Sequence, residues 1–320
     1  MNKNECIYIA GHRGLAGSAF FRKFEEEGCS NLLTCTHQEL DLTNQSATDA
    51  FFERHKPAYV IMAAAKVGGI MANNTYPADF IYRNLAIQTN IINAAYRTGV
   101  KRLLFLGSSC IYPRECPQPM KEIHLLTGPL EPTNEPYAVA KIAGIKMCEA
   151  YNRQYGTRFL AVMPTNLYGP NDNFDPETSH AMAALIRKFH EAKTAGKQTV
   201  DVWGTGTPRR EFLHSDDLAD AGYFLMNMPD KDFDALVLDH GTPLVNIGVG
   251  KDISIAELAY LIKDITGFQG DLVFDPTKPD GTFQKLLDVS RMSSHGWQAS
   301  FSLREGIANA YQWCLDNHIF

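Results

Sequence analysis

No apolar run in this chain approaches the roughly 18 residues that a membrane-crossing helix needs, and its start, Met1-Asn2-Lys3-Asn4-Glu5, leads into a strand pattern without the apolar stretch of a secretory signal. Neither a membrane role nor export is expected, and the chain reads as cytoplasmic. Positive charge is also short: 30 Lys and Arg against 36 Asp and Glu leave a net charge of -6. That argues against general binding to nucleic acid or anionic membranes, while leaving room for a local basic pocket for phosphates. The partner is expected to be a small molecule. The seven cysteines contain no C-x-x-C pair and are odd in number, so reduced intracellular thiols are expected rather than a disulfide framework. The ten histidines lack H-x-x-x-H or zinc-ribbon spacing, and no catalytic metal is expected. Internal repeats and low-complexity tracts are missing as well.

What is present is an alternation of short apolar runs with helical patterns. Cys6 to Ala10, Asn31 to Thr34, Tyr59 to Ala63, Arg102 to Leu106 and Phe159 to Met163 read as strands; Leu15 to Glu27, Gln45 to His55, Phe80 to Thr98 and Pro136 to Tyr155 read as helices. Repeated strand-helix-strand units predict an α/β fold with a Rossmann-type doubly wound parallel sheet. After Met163 a turn-rich stretch, Pro164 to Asn173, predicts that the chain leaves the sheet. A helix from Ser179 to Ala195 and a strand from Val200 to Trp203 would then start a smaller α/β substrate domain. Phe212 to Met228 looks like a return, so that domain is expected to be discontinuous. The division reads as 1–170 plus about 211–245 for the cofactor, and about 171–210 plus 246–320 for the substrate.

Three segments following strand ends, the Gly11 loop, Ala63 to Gly69 and Gly107 to Cys110, should converge beyond the sheet's carboxyl edge. In the first, Gly11-His12-Arg13-Gly14-Leu15-Ala16-Gly17, the glycines permit a tight turn and close approach of backbone N–H groups to a pyrophosphate at a helix N-terminus. The second strand ends in Thr34-Cys35-Thr36-His37 without the carboxylate that would hold a ribose 2'-hydroxyl, and Arg13 sits in the glycine loop. A guanidinium suits a 2'-phosphate, so NADP is expected. Tyr137 and Lys141 lie one turn apart on a helix and reach the same point. The ammonium is expected to lower the phenol's pKa and to bind cofactor ribose, with Tyr137 as proton donor and Ser108 as a hydrogen-bond donor to a carbonyl oxygen. Cys110, just after the serine pair, is unnecessary for simple hydride transfer and marks a second reaction.

Five strings carry a wider likeness: Gly11 to Gly14, Ala63-Ala64-Ala65-Lys66-Val67-Gly68-Gly69-Ile70, Asn73-Asn74-Thr75-Tyr76-Pro77-Ala78-Asp79, Ser108-Ser109-Cys110-Ile111-Tyr112-Pro113 and Glu131-Pro132-Thr133-Asn134-Glu135-Pro136-Tyr137. With Met163 to Asn173, Val202 to Asp217 and Lys278 to Asp288, they closely resemble the GDP-L-fucose synthase family of the extended short-chain dehydrogenase/reductases. These are GDP-4-keto-6-deoxy-D-mannose 3,5-epimerase-4-reductases. The resemblance implies Ser108, Tyr137 and Lys141 as the reductive triad, Cys110 as epimerisation base and His180 as epimerisation acid. It implies NADP contacts at Gly11 to Gly17, His37, Asp41, Leu42, Leu106, Gly107, Ser108, Ser109, Lys141, Pro164, Thr165, Asn166, Leu167 and His180. For the GDP-sugar it implies Lys188, Trp203, Arg210, Asp280 and Lys285, and it implies a homodimer. Two positions depart from relatives: His37 stands where some carry arginine, and Lys188 where arginine is frequent, which loses the bidentate fork. A 4,6-dehydratase would need a carboxylate where Cys110 stands, and a 4-epimerase needs no thiol base. A cofactor-sensing regulator has no use for both Tyr137 and Lys141. A 3,6-dideoxy or heptose GDP-4-keto sugar remains open as substrate.

Overall fold

The computed structural model describes residues 1–176, 178–238, 242–278 and 280–320, with side chains at all of these but 70 and 71. The first half alternates as the periodicity predicts: β1 (Ile7–Ala10), α1 (Leu15–Glu26), β2 (Leu32–Leu33), α2 (Gln45–His55), β3 (Tyr59–Met62), α3 (Ile70–Thr75), α4 (Pro77–Arg97), β4 (Arg102–Leu106), α5 (Glu135–Tyr155) and β5 (Phe159–Pro164). Every residue of β1, β3, β4 and β5 is buried, as strands covered on both faces require. Helix α4 starts earlier than its apolar periodicity because Pro77 needs no N–H partner in the first turn.

Beyond β5 follow β6 (Asn166–Tyr168), α6 (Ala181–Thr194), β7 (Thr199–Trp203), β8 (Arg209–His214), α7 (Ser215–Asn227), α8 (Asp230–Leu238), β9 (Leu244–Ile247), β10 (Asp252–Ser254), α9 (Ile255–Thr266), β11 (Asp271–Asp275), β12 (Gln284–Lys285), α10 (Ser290–Ser294) and α11 (Leu303–Asp316). The main sheet is parallel in the order β2-β1-β3-β4-β5-β9. Connections from β1 run outward to opposite sides, so the crevice beyond β1 and β3 is the place where such sheets bind ligands. A mixed sheet, β10-β8-β12 with β6 beside β8, and the parallel pair β11-β7 form the second layer.

One core cluster includes Phe20, Leu104 and Leu218 and a second includes Phe52, Phe105 and Ile145, both built around the main sheet; a third, including Phe189, Ile262 and Cys314, lies under α6, α9 and α11. The chain crosses between layers more often than the sequence division expects. Of Phe212 to Met228, the β8 portion pairs in the mixed sheet, whereas α7 packs on α1. Strand β9 spans the expected edge at about 245 and completes the main sheet. Leu287, Met292 and Trp297 are buried in the first two clusters.

Candidate active site

The glycine loop is shaped by close backbone packing. Gly11 has φ +84, and a Cβ there would meet Ala64 N at 2.7 Å. At Gly17 a Cβ would stand 2.1 Å from the Gly11 carbonyl oxygen. Gly14 donates to that oxygen at 3.1 Å and precedes α1, whose first turn carries no acidic residue. The leading N–H groups of α1, at Leu15, Ala16 and Gly17, are thus free of an intrahelical acceptor and suited to an anion. His12 adds a buried Nδ1 without a hydrogen-bond partner. These features fit the diphosphate of a dinucleotide. Arg13 and His37 are exposed, and Asp41 accepts from Thr43 N and Oγ1 at 2.9 and 2.7 Å. Leu42 packs on the second core, its carbonyl accepting from Asn90 Nδ2 at 2.9 Å. One carboxylate escapes a reading limited to Thr34 to His37: Glu39 accepts from Thr36 N and Oγ1, and its charge is felt by Arg13 and His12.

At the end of β4, Leu106 and Gly107 lead into Ser108 and Ser109, and a Cβ on Gly107 would overlap Met163 Cε at 1.7 Å. Ser108 heads a single 3-10 turn, Ser109–Ile111, its Oγ accepting from Cys110 N at 3.4 Å. The Ser108 hydroxyl also pulls the pKa of both the Cys110 thiol and the Tyr137 phenol down against burial. Helix α5 supplies Tyr137 and Lys141 on one face, and Phe80 meets the tyrosine ring edge-on with centroids 6.2 Å apart. The expectation that Lys141 lowers the phenol's pKa is corrected here. Burial dominates and pushes Tyr137 up, with Cys110 adding to the rise and Ser108 opposing it. The Lys141 ammonium instead donates to the Leu106 carbonyl at 2.7 Å and stands 5.8 Å from the centre of the tyrosine ring. Burial pushes Lys141 down to about 8. Cys110 is raised by burial, with Ser108, Lys285 and Lys141 pulling the other way.

His180 caps the start of α6 and is exposed, yet enough protein surrounds it to push its pKa down by desolvation. Its loop leans on the Gly68–Gly69 turn: Gly69 N donates to Thr178 O at 3.4 Å, and Asn73 Nδ2 clamps the Gly68 and Gly69 carbonyls at 2.7 and 3.0 Å. In these segments and just before α5, Asn73 Oδ1, Ser179 Oγ and Asn134 Oδ1 are buried without partners. The signal for Asn134 was its place just before Tyr137; for Asn73 it was the Asn73 to Asp79 string.

Pro164 closes β5, Thr165 N donates to Ile247 O at 3.1 Å, and Thr165 Oγ1 and Asn166 Nδ2 both donate to the Glu211 carbonyl, at 3.1 and 2.7 Å, while Leu167 packs inward. Of the residues expected to face a GDP-sugar, Arg210 and Lys285 are register partners on β8 and β12. Burial lowers both, and Lys285 lies within electrostatic reach of Cys110 and Glu131. The other three sit differently. Lys188 Nζ is turned to the Asp201 carbonyl at 2.6 Å, and Trp203 is exposed beneath Lys278. Asp280 accepts from Thr205 N and Oγ1 at 2.9 and 2.6 Å, so it shapes the turn beside Trp203. No metal-binding cluster of His, Cys, Asp or Glu occurs among the described residues.

A dinucleotide-type loop after β1, with a Ser-Tyr-Lys group and a buried thiol after β4 at the same carboxyl edge of one parallel sheet, defines an oxidoreductase-type site. The chain belongs to the NAD dependent epimerase/dehydratase family, whose profile matches residues 7–241. Within it the chain is similar to GDP-L-fucose synthase 1 of Arabidopsis thaliana, 58% identical over 99% of this chain and 95% of the relative. It is 53% identical to GDP-L-fucose synthase of Escherichia coli (strain K12), over 97% of each. Among solved structures it resembles a GDP-mannoheptose C4 reductase from Campylobacter jejuni with NADP bound, at 42% identity and a TM-score of 0.88, covering 98% of this chain and 99% of that one.

Proposed function

We infer that this chain converts GDP-4-keto-6-deoxy-D-mannose to GDP-L-fucose by 3,5-epimerisation followed by NADPH-dependent reduction at C4. The observation that carries this reading is the buried Cys110 thiol, its backbone N–H held by the Ser108 hydroxyl, in a chain that is 53% and 58% identical to two GDP-L-fucose synthases. NADPH, when bound along the Gly11 to Gly17 loop, supplies the hydride. The chain's own residues supply the rest.

The C4 ketone acidifies the hydrogens on C3 and C5. Cys110, as thiolate, takes each proton in turn, and the charge that develops on the C4 oxygen is met by the Tyr137 and Ser108 hydroxyls, donors already in place. His180 returns a proton to the opposite face, which inverts the carbon. In the reduction Tyr137 protonates the C4 oxygen; a phenol pushed up by burial stays protonated until that moment. Lys141 orients the cofactor ribose. Arg210 and Lys285 take the diphosphate, with Lys188 and Trp203 at the nucleotide and Asp280 holding the turn beside them. The layer built on the main sheet, through its last strand β9, binds cofactor, and the second layer binds the GDP-sugar.

A homodimer is supported by the exposed Tyr82 on α4 and Val139 on α5, helices that pack side by side. Seven unpaired cysteines suit the cytoplasm. A related GDP-4-keto heptose is the second reading, favoured by the resemblance to the heptose reductase. The deciding experiment supplies purified protein with NADPH and a panel of GDP-4-keto sugars and reads product stereochemistry by NMR. GDP-L-fucose from wild type is expected, and a Cys110→Ser variant should reduce C4 without inverting C3 and C5, or stall. Fully inverted product from that variant at the wild-type rate would reject the thiol as base.

A further inference from the structure

Strand β8 carries a carboxylate that none of these steps uses. Glu211 is 0% exposed, and its side chain accepts three backbone N–H groups: Val249 and Gly250 at 2.7 Å on Oε1, Leu287 at 2.9 Å on Oε2. The turn after β9 wraps this carboxylate closely, since a Cβ on Gly248 would stand 2.3 Å from Oε1. The Glu211 carbonyl meanwhile accepts Thr165 Oγ1 and Asn166 Nδ2. One residue thus joins three distant segments: the β5–β6 turn of the cofactor side, the turn leaving the main sheet's last strand, and the stretch that continues β12. Its neighbour Arg210 is the register partner of Lys285.

We propose that Glu211 is a positioning residue that fixes β12, and with it Lys285, against Arg210 and against the Thr165–Asn166 turn, setting the distance between the diphosphate clamp and the cofactor. This rests on the assignment of Arg210 and Lys285 to the GDP-sugar. Three N–H donors converging on two oxygens require acceptors only. A glutamine in this place brings an NH2 group against either Leu287 N–H or the Val249 and Gly250 pair, whichever way its amide is turned. The backbone carbonyl that holds Thr165 and Asn166 is unchanged by such a substitution, so the defect should fall on the GDP side.

The test compares Glu211→Gln, Lys285→Met and the double variant, with GDP binding measured by calorimetry and NADPH binding by fluorescence. Glu211→Gln should weaken GDP by about tenfold, the loss of roughly one hydrogen bond, and raise KM for the GDP-sugar more than it lowers kcat, with NADPH affinity within about twofold. The double variant should bind GDP no worse than Lys285→Met alone, because the carboxylate acts through that lysine's strand. Gly248→Ala displaces the same carboxylate without altering its charge and should reproduce the GDP defect, which decides the matter if Glu211→Gln does not fold. Additive losses in the double variant, equal losses of GDP and NADPH affinity, or an unchanged GDP affinity in Glu211→Gln and Gly248→Ala would overturn the proposal. If Lys285→Met and Arg210→Ala themselves leave GDP affinity unchanged, the diphosphate assignment falls and the proposal with it; if they weaken GDP while Glu211→Gln does not, only the proposal falls.

Discussion

Burial acts in opposite directions on the two groups that would exchange the C3 and C5 protons, pushing the Cys110 thiol above its ordinary range and the His180 imidazole below. The base must be a thiolate and the acid an imidazolium, so the working pair is the minor protonation state. As pH rises between the two values, each tenfold gain in thiolate is matched by a tenfold loss of imidazolium, and the competent fraction stays constant. Inversion by wild type should therefore be flat from roughly pH 6.5 to 8.5, the unperturbed values that bracket the pair. Deuterium wash-in at C3 and C5 by His180→Gln needs only the thiolate and should climb about tenfold per pH unit over the same range. NMR in heavy water with NADP+ present measures both. A wild-type inversion rate that climbs with the variant's wash-in would remove His180 as the acid.

Among elements, α7 shows how a strand can finish a helix. Arg102 on β4 is buried and donates to the Leu225 and Met226 carbonyls at 3.2 and 3.1 Å, the last turn of α7, while also reaching Asp230 and lying over the Phe233 ring. Arg102→Met keeps much of the apolar stem but takes the guanidinium donor from the Met226 carbonyl in the interior, while the Leu225 carbonyl keeps only the Met228 N–H at 3.3 Å. A loss of about 2 kcal/mol is expected, the middle of the range for an orphaned buried acceptor, read as a lower urea midpoint with NADPH affinity unchanged; an unaltered midpoint would refute the capping role. No sequence pattern announced this contact, because its partners are distant in the chain. The main sheet was legible for the opposite reason: β1, β3 and β5, and β4 after Arg102, are continuous apolar runs, and α1 and α5 carry their periodicity locally. Strand β9 was missed because Leu244–Ile247 is short and lies outside the strand-helix alternation. The glycine loop, Tyr137 and Lys141 were readable because backbone geometry and helical spacing place them. Glu211 was not, since a lone carboxylate reveals its function only when Val249, Gly250 and Leu287 fold around it.

Across the whole molecule, the seven thiols divide by depth: Cys6 and Cys35 are partly open, while Cys29, Cys110, Cys116, Cys148 and Cys314 are buried. The residue assigned the most reactive duty is 7% exposed and held protonated, and thiols in that state alkylate and oxidise slowly. Iodoacetamide should label Cys6 and Cys35 first with activity intact, as peptide mass mapping would show, and activity should decline only with the slower phase that labels Cys110. Saturating GDP should slow that second phase further. Inactivation that keeps pace with the first labels would mean the cleft stands open to reagent. Under oxidative attack, then, the shallow cysteines should be consumed as decoys, and formation of GDP-L-fucose should persist through an insult that has already marked the protein's surface.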